Sequence, residues 1–338
     1  MDNRLLDTFP GVSCAWTDAD GRISTACYGV SDKELNLPVN ADTIFPACSI
    51  SKFITALCVM KLQEQGVIDI DSPVNMYLHS WKLCTPDGQE SPASIRALLC
   101  HTAGIVDGED GFYGRRRTDP EITLTDILEG RTSYNHRPAR AEKPQGTTFE
   151  YSDAGYCVLQ QMIEDIACRP FADTAKDIIF DALGMQRTFF ASPESLSCYE
   201  AHFPMVTGYD GDGLPIPGRF PPCPDLAASG LWTTPTELVL LGREFLAALN
   251  GRSSFLTQAS AQAMATPVER FPWTGLGLFI GEADTLLTQG WGEHGQCMMK
   301  MNRRTGAVSV VMTNRNPEVD QAASGVEALA NQHWHPAC

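Results

Sequence analysis

Residues 45–66 read Phe45-Pro46-Ala47-Cys48-Ser49-Ile50-Ser51-Lys52-Phe53-Ile54-Thr55-Ala56-Leu57-Cys58-Val59-Met60-Lys61-Leu62-Gln63-Glu64-Gln65-Gly66. Pro46 and the small residues after it mark the start of a helix, and Gly66 marks its end. The segment is apolar almost all round, through Ile50, Phe53, Ile54, Leu57, Cys58, Met60 and Leu62, so the helix is expected to lie buried between layers. Ser49 and Lys52 stand three apart and within reach of each other. A lysine in such a place loses hydration, which favours the neutral amine and lowers its pKa. A neutral amine can take the proton of a serine hydroxyl and make it a nucleophile. Cys48 is expected to project about 100° away around the helix and to pack.

Alternating segments lie at both ends of the chain. Val12 to Trp16 and Ile23 to Val30 read as a hairpin around the turn signal Asp20-Gly21. Gly275 to Gly281, Cys297 to Asn302 and Ala307 to Thr313 read as strands, with Arg303 to Gly306 as the turn between the last two. Helical spacing marks 317–334 and, in the middle, 94–100, 124–129, 154–167, 171–183 and 236–250. The expected class is α+β. An antiparallel sheet of N- and C-terminal strands, flanked by helices, covers 1–70 plus 270–338; a mainly helical lobe is inserted over 71–269, with the active site between the two.

The chain has 338 residues, 43% of them hydrophobic and 20% charged, enough for a full-sized core. A formal net charge of −16 disfavours nucleic acid and anionic membrane surfaces as partners. The basic triplet Arg115-Arg116-Arg117 reads as a solvated loop face. The N-terminus lacks the pattern of a secretory signal and no stretch reaches the ~18 apolar residues of a membrane span, so a cytoplasmic location is expected. Twelve cysteines without a C-x-x-C pair are then mostly buried thiols. His333-Trp334-His335 reads as structural rather than metal-binding, and no metal or organic cofactor is implied. G-x-S-x-G, H-E-x-x-H and P-loop patterns are absent.

About a hundred residues after Lys52, the chain runs Thr147-Thr148-Phe149-Glu150-Tyr151-Ser152-Asp153-Ala154-Gly155-Tyr156. A Tyr-Ser-Asp loop before a helix, following S-x-x-K at that distance, resembles the second motif of the penicillin-recognising serine enzymes: class C β-lactamases, D-alanyl-D-alanine peptidases and related esterases and acyltransferases. Segments 94–105, 182–188 and 228–235 are similar to further landmarks of that family, so the resemblance extends from about residue 8 to 335. It implies a β-lactamase/transpeptidase-like fold. It also implies Ser49 as the acylated nucleophile, Lys52 as its base partner and Tyr151 as a proton shuttle. Asp153 stands where the pattern usually has Asn.

The third motif departs from the family. The stretch Leu287-Thr288-Gln289-Gly290-Trp291-Gly292-Glu293-His294-Gly295-Gln296-Cys297 aligns with it, and Thr288 replaces the usual cationic residue. On this resemblance the Trp291 N–H joins that of Ser49 as an oxyanion donor, Gly290 lies beside it, and His294 either points into the cleft or is a structural or surface histidine. A threonine cannot hold a substrate carboxylate, which disfavours β-lactams and stem peptides. The expected activity is hydrolysis or transfer of a small ester, thioester or amide, with a small-molecule acyl substrate and an acyl acceptor as partners. Cyclisation on the same site and an inactive binding protein are the alternatives; the oligomeric state is left open.

Overall fold

The computed structural model describes residues 8–18, 20–192, 195–332 and 334. The alternation at the two chain ends produces one antiparallel sheet. Its strands are β1 (Gly11–Thr17), β2 (Ile23–Asp32), β3 (Leu37–Pro38), β7 (Phe279–Ile280), β8 (Thr285–Gly292), β9 (Gly295–Asn302) and β10 (Val308–Thr313), in the order β3-β2-β1-β10-β9-β8-β7. The strands from the two halves of the pattern meet where β1 pairs with β10, Cys14 lying opposite Val311. Gly275 to Gly281 is strand only at Phe279–Ile280, because the main chain before it turns through Gly277 at φ +72.

Side chains of β10 alternate between two faces, as a pleated strand requires. Val308, Val310 and Met312 join the main core, whereas Val311 joins a second cluster with Val12, Cys14, Val326, Leu329 and Ala330. Helices cover both faces, which is why every residue of β10 is buried. Each fully buried branched or sulfur-containing side chain of this kind contributes about 1.5–3 kcal/mol. The C-terminal helical pattern is two helices, Gln321–Ser324 and Val326–Gln332, broken at Gly325 with φ +91. On the other face helix Pro235–Leu249 comes so close that a Cβ at Gly242 would lie 2.7 Å from Met299 Cε.

A second, three-stranded sheet has the order β4-β6-β5, with β4 at Phe45–Cys48, β5 at Phe189–Phe190 and β6 at Leu231–Thr233. The expected helix start at Pro46 is therefore corrected: 45–48 is an edge strand, where proline's missing N–H is tolerated. Helix α1 begins only at Ser51 and runs to Glu64, with Gly66 beyond it at φ +69. It is buried nearly all round, as its composition predicts. The helix expected over 171–183 is interrupted by a wider turn at 176–180.

None of the described helices is long and apolar enough to cross a membrane. The eleven described cysteines are free thiols, six of them buried. Among the described residues no cluster of His, Cys, Asp and Glu is placed to hold a metal. His333 and His335 lie outside the described residues.

Candidate active site

Ser49 sits in the turn between β4 and α1, not within the helix. Cys48 adopts a left-handed φ of +46, which swings the chain out of the strand. The turn is stitched by Ile50 N–H to Ala47 O at 3.0 Å and by Ser51 Oγ, which donates to Cys48 O at 2.6 Å and accepts the Leu231 N–H at 3.0 Å. The Ser49 N–H itself makes no main-chain hydrogen bond among the described residues. Cys48 is buried, as expected, but the bend of the chain rather than a helical offset takes its Sγ toward Gly295 O, 3.8 Å away.

Lys52, only 3% exposed, directs all three of its donors inward. They reach Ser49 Oγ at 3.2 Å, Asp153 Oδ1 at 2.5 Å and Ala228 O at 3.0 Å. This corrects the expectation of a neutral lysine. Burial does press its pKa down, but Asp153 and then Tyr151 outweigh that and hold the ammonium above its ordinary range. Tyr151 stands at the mouth with 41% of its surface exposed, while its hydroxyl interacts with Ser49 and Lys52. Its pKa is raised, by burial of the hydroxyl against the opposing pull of Lys52, so the phenol stays protonated at neutral pH.

Asp153 opens helix Asp153–Ala167, whose first turn rests on a carboxylate. Asp107 accepts from Ser152 Oγ at 2.6 Å and from the N–H groups of Asp153 at 2.6 Å and Ala154 at 3.3 Å. Burial and the Asp153 charge nevertheless push Asp107 up to about 6. His101 stacks on Tyr151 with centroids 4.4 Å apart, and its Nδ1 accepts the Ser152 N–H at 3.1 Å. That bond needs a lone pair, in agreement with a pKa held well below the usual range by burial and by Lys52. Composition and spacing gave no role to Asp107, Asp225 or His101. The only signal was the landmark at 94–105 that contains His101.

Asp225 lies behind Lys52, fully buried, accepting from Tyr134 Oη at 2.7 Å with its other oxygen unpartnered. Burial, then the Asp153 charge, push it up to about 7. Its folded value therefore exceeds its unfolded value of about 4. Stability is fully present below the unfolded value and is lost as pH rises through the folded one. Asp225→Asn removes this dependence. The melting temperature of the variant relative to the parent is expected to climb between pH 4.5 and 7 and level off above, in parallel thermal melts. A difference that stays flat across that range would contradict the assignment.

Strand β8 brings the third motif to Ser49. Thr288 is buried opposite Met299 and lines the small space around Ser49, Lys52 and His101. Gly290 lies where any Cβ would collide with Ala47 O at 2.3 Å, so β8 can approach the nucleophile's turn only with glycine here. Gln296 turns its N–H and C=O to Thr313 Oγ1, at 3.1 and 2.8 Å, on the β10 side. Trp291 and Gln296 are thus a non-hydrogen-bonded pair, and the Trp291 main chain faces the opposite, unpaired edge of β8. A cavity of about 530 Å³ opens there, bounded by Ser49, Tyr151, Asp153, Phe279, Gln289 and Trp291. His294 is not at the surface. It is buried in the β8–β9 turn with its ring 5.7 Å from that of Trp232. Ser49, Lys52, Tyr151, Asp153, Thr288, Gly290 and Trp291 therefore converge, and His294 stands behind them. The solvated-face reading of the arginine triplet is corrected: Arg115 is buried, Arg116 pairs with Glu293 at 2.9 Å, and Arg117 pairs with Glu200 at 2.8 Å.

Esterase EstB of Burkholderia gladioli is 28% identical over 197 residues, which is 56% of this chain and 50% of the esterase. Unguisins hydrolase ungD of Aspergillus violaceofuscus is 26% identical over 59% of this chain and 34% of its own length. The chain thus matches half or less of these relatives. Among solved structures, D-amino acid amidase from Ochrobactrum anthropi SV3 superposes with a TM-score of 0.76 at 23% identity, covering 98% of this chain and 94% of the amidase. An octameric penicillin-binding protein homologue from Pyrococcus abyssi reaches 0.78 at 23% identity over 98% and 77%. The family described as Beta-lactamase matches residues 4–332, and the chain belongs to it.

Proposed function

We propose that this protein is a serine hydrolase that forms an acyl-enzyme at Ser49 on a small ester, thioester or amide. The observation that carries the proposal is the 3.2 Å hydrogen bond from Lys52 Nζ to Ser49 Oγ, with the Tyr151 hydroxyl interacting with both residues. Lys52 enters as an ammonium, so its task is to stabilise negative charge on the serine oxygen rather than to remove the proton. Tyr151, a neutral phenol, accepts the Ser49 proton while passing its own to the departing alcohol, thiol or amine. The Oγ–carbonyl carbon bond forms first, moving the carbonyl π electrons onto oxygen, and collapse of that tetrahedral species breaks the leaving-group bond. The N–H groups of Ser49 and Trp291 receive the oxyanion. Water, activated through Tyr151 in the reverse sense, then releases the acid.

The esterase and the hydrolase among the relatives support this reading. Transfer to a larger acceptor is the second reading, and the volume of the cavity beside Tyr151 favours it. Intact-protein mass spectrometry after a fluorophosphonate is expected to show one adduct, mapped to Ser49 and absent from Ser49→Ala. An unmodified parent protein, or an adduct that survives in Ser49→Ala, would sink the proposal. Ester turnover in the presence of added alcohols or amines then divides hydrolysis from transfer.

A further inference from the structure

Asp153 and Trp291 also border a second cavity, of about 220 Å³. These two residues also bound the cavity that contains Ser49, so the second cavity adjoins the first. Tyr113, Arg115, Tyr134, Glu293 and His294 complete the part that matters here.

Two of these side chains are buried with a polar atom unmatched. Arg115 is 6% exposed; its Nη2 donates to Pro120 O at 2.8 Å, and its Nε has no partner. His294 is 4% exposed, and its Nδ1 has no partner. Neither atom is open to water, so the group left to meet a ligand in the cavity is the rest of the Arg115 guanidinium, whose one other hydrogen bond goes to a main-chain carbonyl. The acids on the same wall are already engaged. Glu293 pairs with Arg116 at 2.9 Å and accepts the Gly114 N–H at 2.6 Å, while Asp153 pairs with Lys52. Arg115 is the charge left unbalanced, and a buried guanidinium calls for a carboxylate. Burial holds the His294 pKa down to about 3, so its imidazole is neutral and brings no second charge to the cavity wall.

We propose that this cavity is the acyl subsite and takes a chain ending in a carboxylate, which pairs with the Arg115 guanidinium. The substrate class is then a half-ester, half-thioester or half-amide of a short dicarboxylic acid. At about 30 Å³ for a water-sized group, the space holds roughly seven such groups, enough for a five-carbon diacid. The terminal carboxylate takes no part in the bond changes. Ser49 Oγ bonds to the distal carbonyl carbon, the bond to the leaving group breaks, and the serine proton ends on that leaving group. The cation missing at Thr288 is thus supplied from a different loop. This inference rests on Ser49 as the nucleophile.

The test compares mono-p-nitrophenyl glutarate with p-nitrophenyl pentanoate, a neutral ester of the same chain length. The parent protein is expected to favour the glutarate at least tenfold in kcat/KM. Arg115→Gln should reduce that ratio tenfold or more, and Arg115→Lys should retain part of it. A parent protein that turns over both esters with equal kcat/KM, or an unchanged ratio in Arg115→Gln, overturns the proposal. Calorimetric titration of glutaramate into Ser49→Ala separates this inference from the reading of Ser49. Binding that Arg115→Gln abolishes in that background, in a protein that turns over neither ester, leaves the carboxylate site standing and removes only the nucleophile. Absence of binding to Ser49→Ala removes the site.

Discussion

Lys52→Met is expected to lower kcat/KM for an activated ester by roughly 10²–10³-fold, the range for losing one donor that stabilises developing negative charge. Methionine fills much of the same volume but breaks three hydrogen bonds at once, to Ser49, Asp153 and Ala228. It leaves the Asp153 carboxylate unpaired, near Asp107 and Asp225, the two acids whose pKa values its charge already raises. Breaking a buried pair costs about 3–5 kcal/mol. The Asp153 side chain keeps 24% exposure, so water screens part of the charge and the cost should fall at about 3 kcal/mol or below. Adding Asp153→Asn to Lys52→Met should restore much of the stability and none of the turnover. Urea midpoints and initial rates on the two single variants and the double variant close the cycle. A Lys52→Met protein within threefold of the parent rate would rule out a role for the ammonium.

The second large effect is expected at Gly290. An alanine Cβ there would stand 2.3 Å from Ala47 O, 2.5 Å from Cys297 Sγ and 2.9 Å from Cys48 Cβ. Two of these contacts belong to the strand that delivers Ser49, so β8 must move away from the nucleophile. Overpacking of this kind costs about 1–3 kcal/mol. Displacement of the Trp291 main chain matters more, since a shift of about 1 Å at a reacting centre is worth ~10²-fold in rate. Gly290→Ala should therefore lose activity out of proportion to its fall in melting temperature. Equal rates in variant and parent would show that β8 does not position the reaction.

Much of the architecture was legible where periodicity is strong. The hairpin at β1–β2, the pair β9–β10 and the buried helix after Ser49 follow from alternation, turn residues and an apolar run. Strand β4 was not legible. Phe45–Cys48 is short, contains a proline and pairs with Leu231–Thr233, a contact no local pattern announces. Ser49, Lys52 and Tyr151 were readable from their spacing and their family resemblance. The charge on Lys52 was not, because it depends on Asp153 arriving from another helix at 2.5 Å. Arg115 shows the same limit in reverse. Three successive arginines look alike in sequence, yet two meet glutamates from distant segments and the first enters a cavity wall.

The pairing of β1 with β10 also bears on how the molecule is made. Residues 12–16 pair locally with 24–28 on one side, but on the other they find their partners at 309–313, so that pair closes across nearly the whole described chain. Contacts of such long range slow folding, because the entropy of closing the loop is lost before pairing rewards it. On a ribosome, the segment bearing Ser49 emerges early and must wait for β8 and β9 before its turn is enclosed. The apolar helix behind it, α1, remains in need of cover for that interval. The nucleophile is thus among the first parts of the site to be synthesised and among the last to acquire its surroundings.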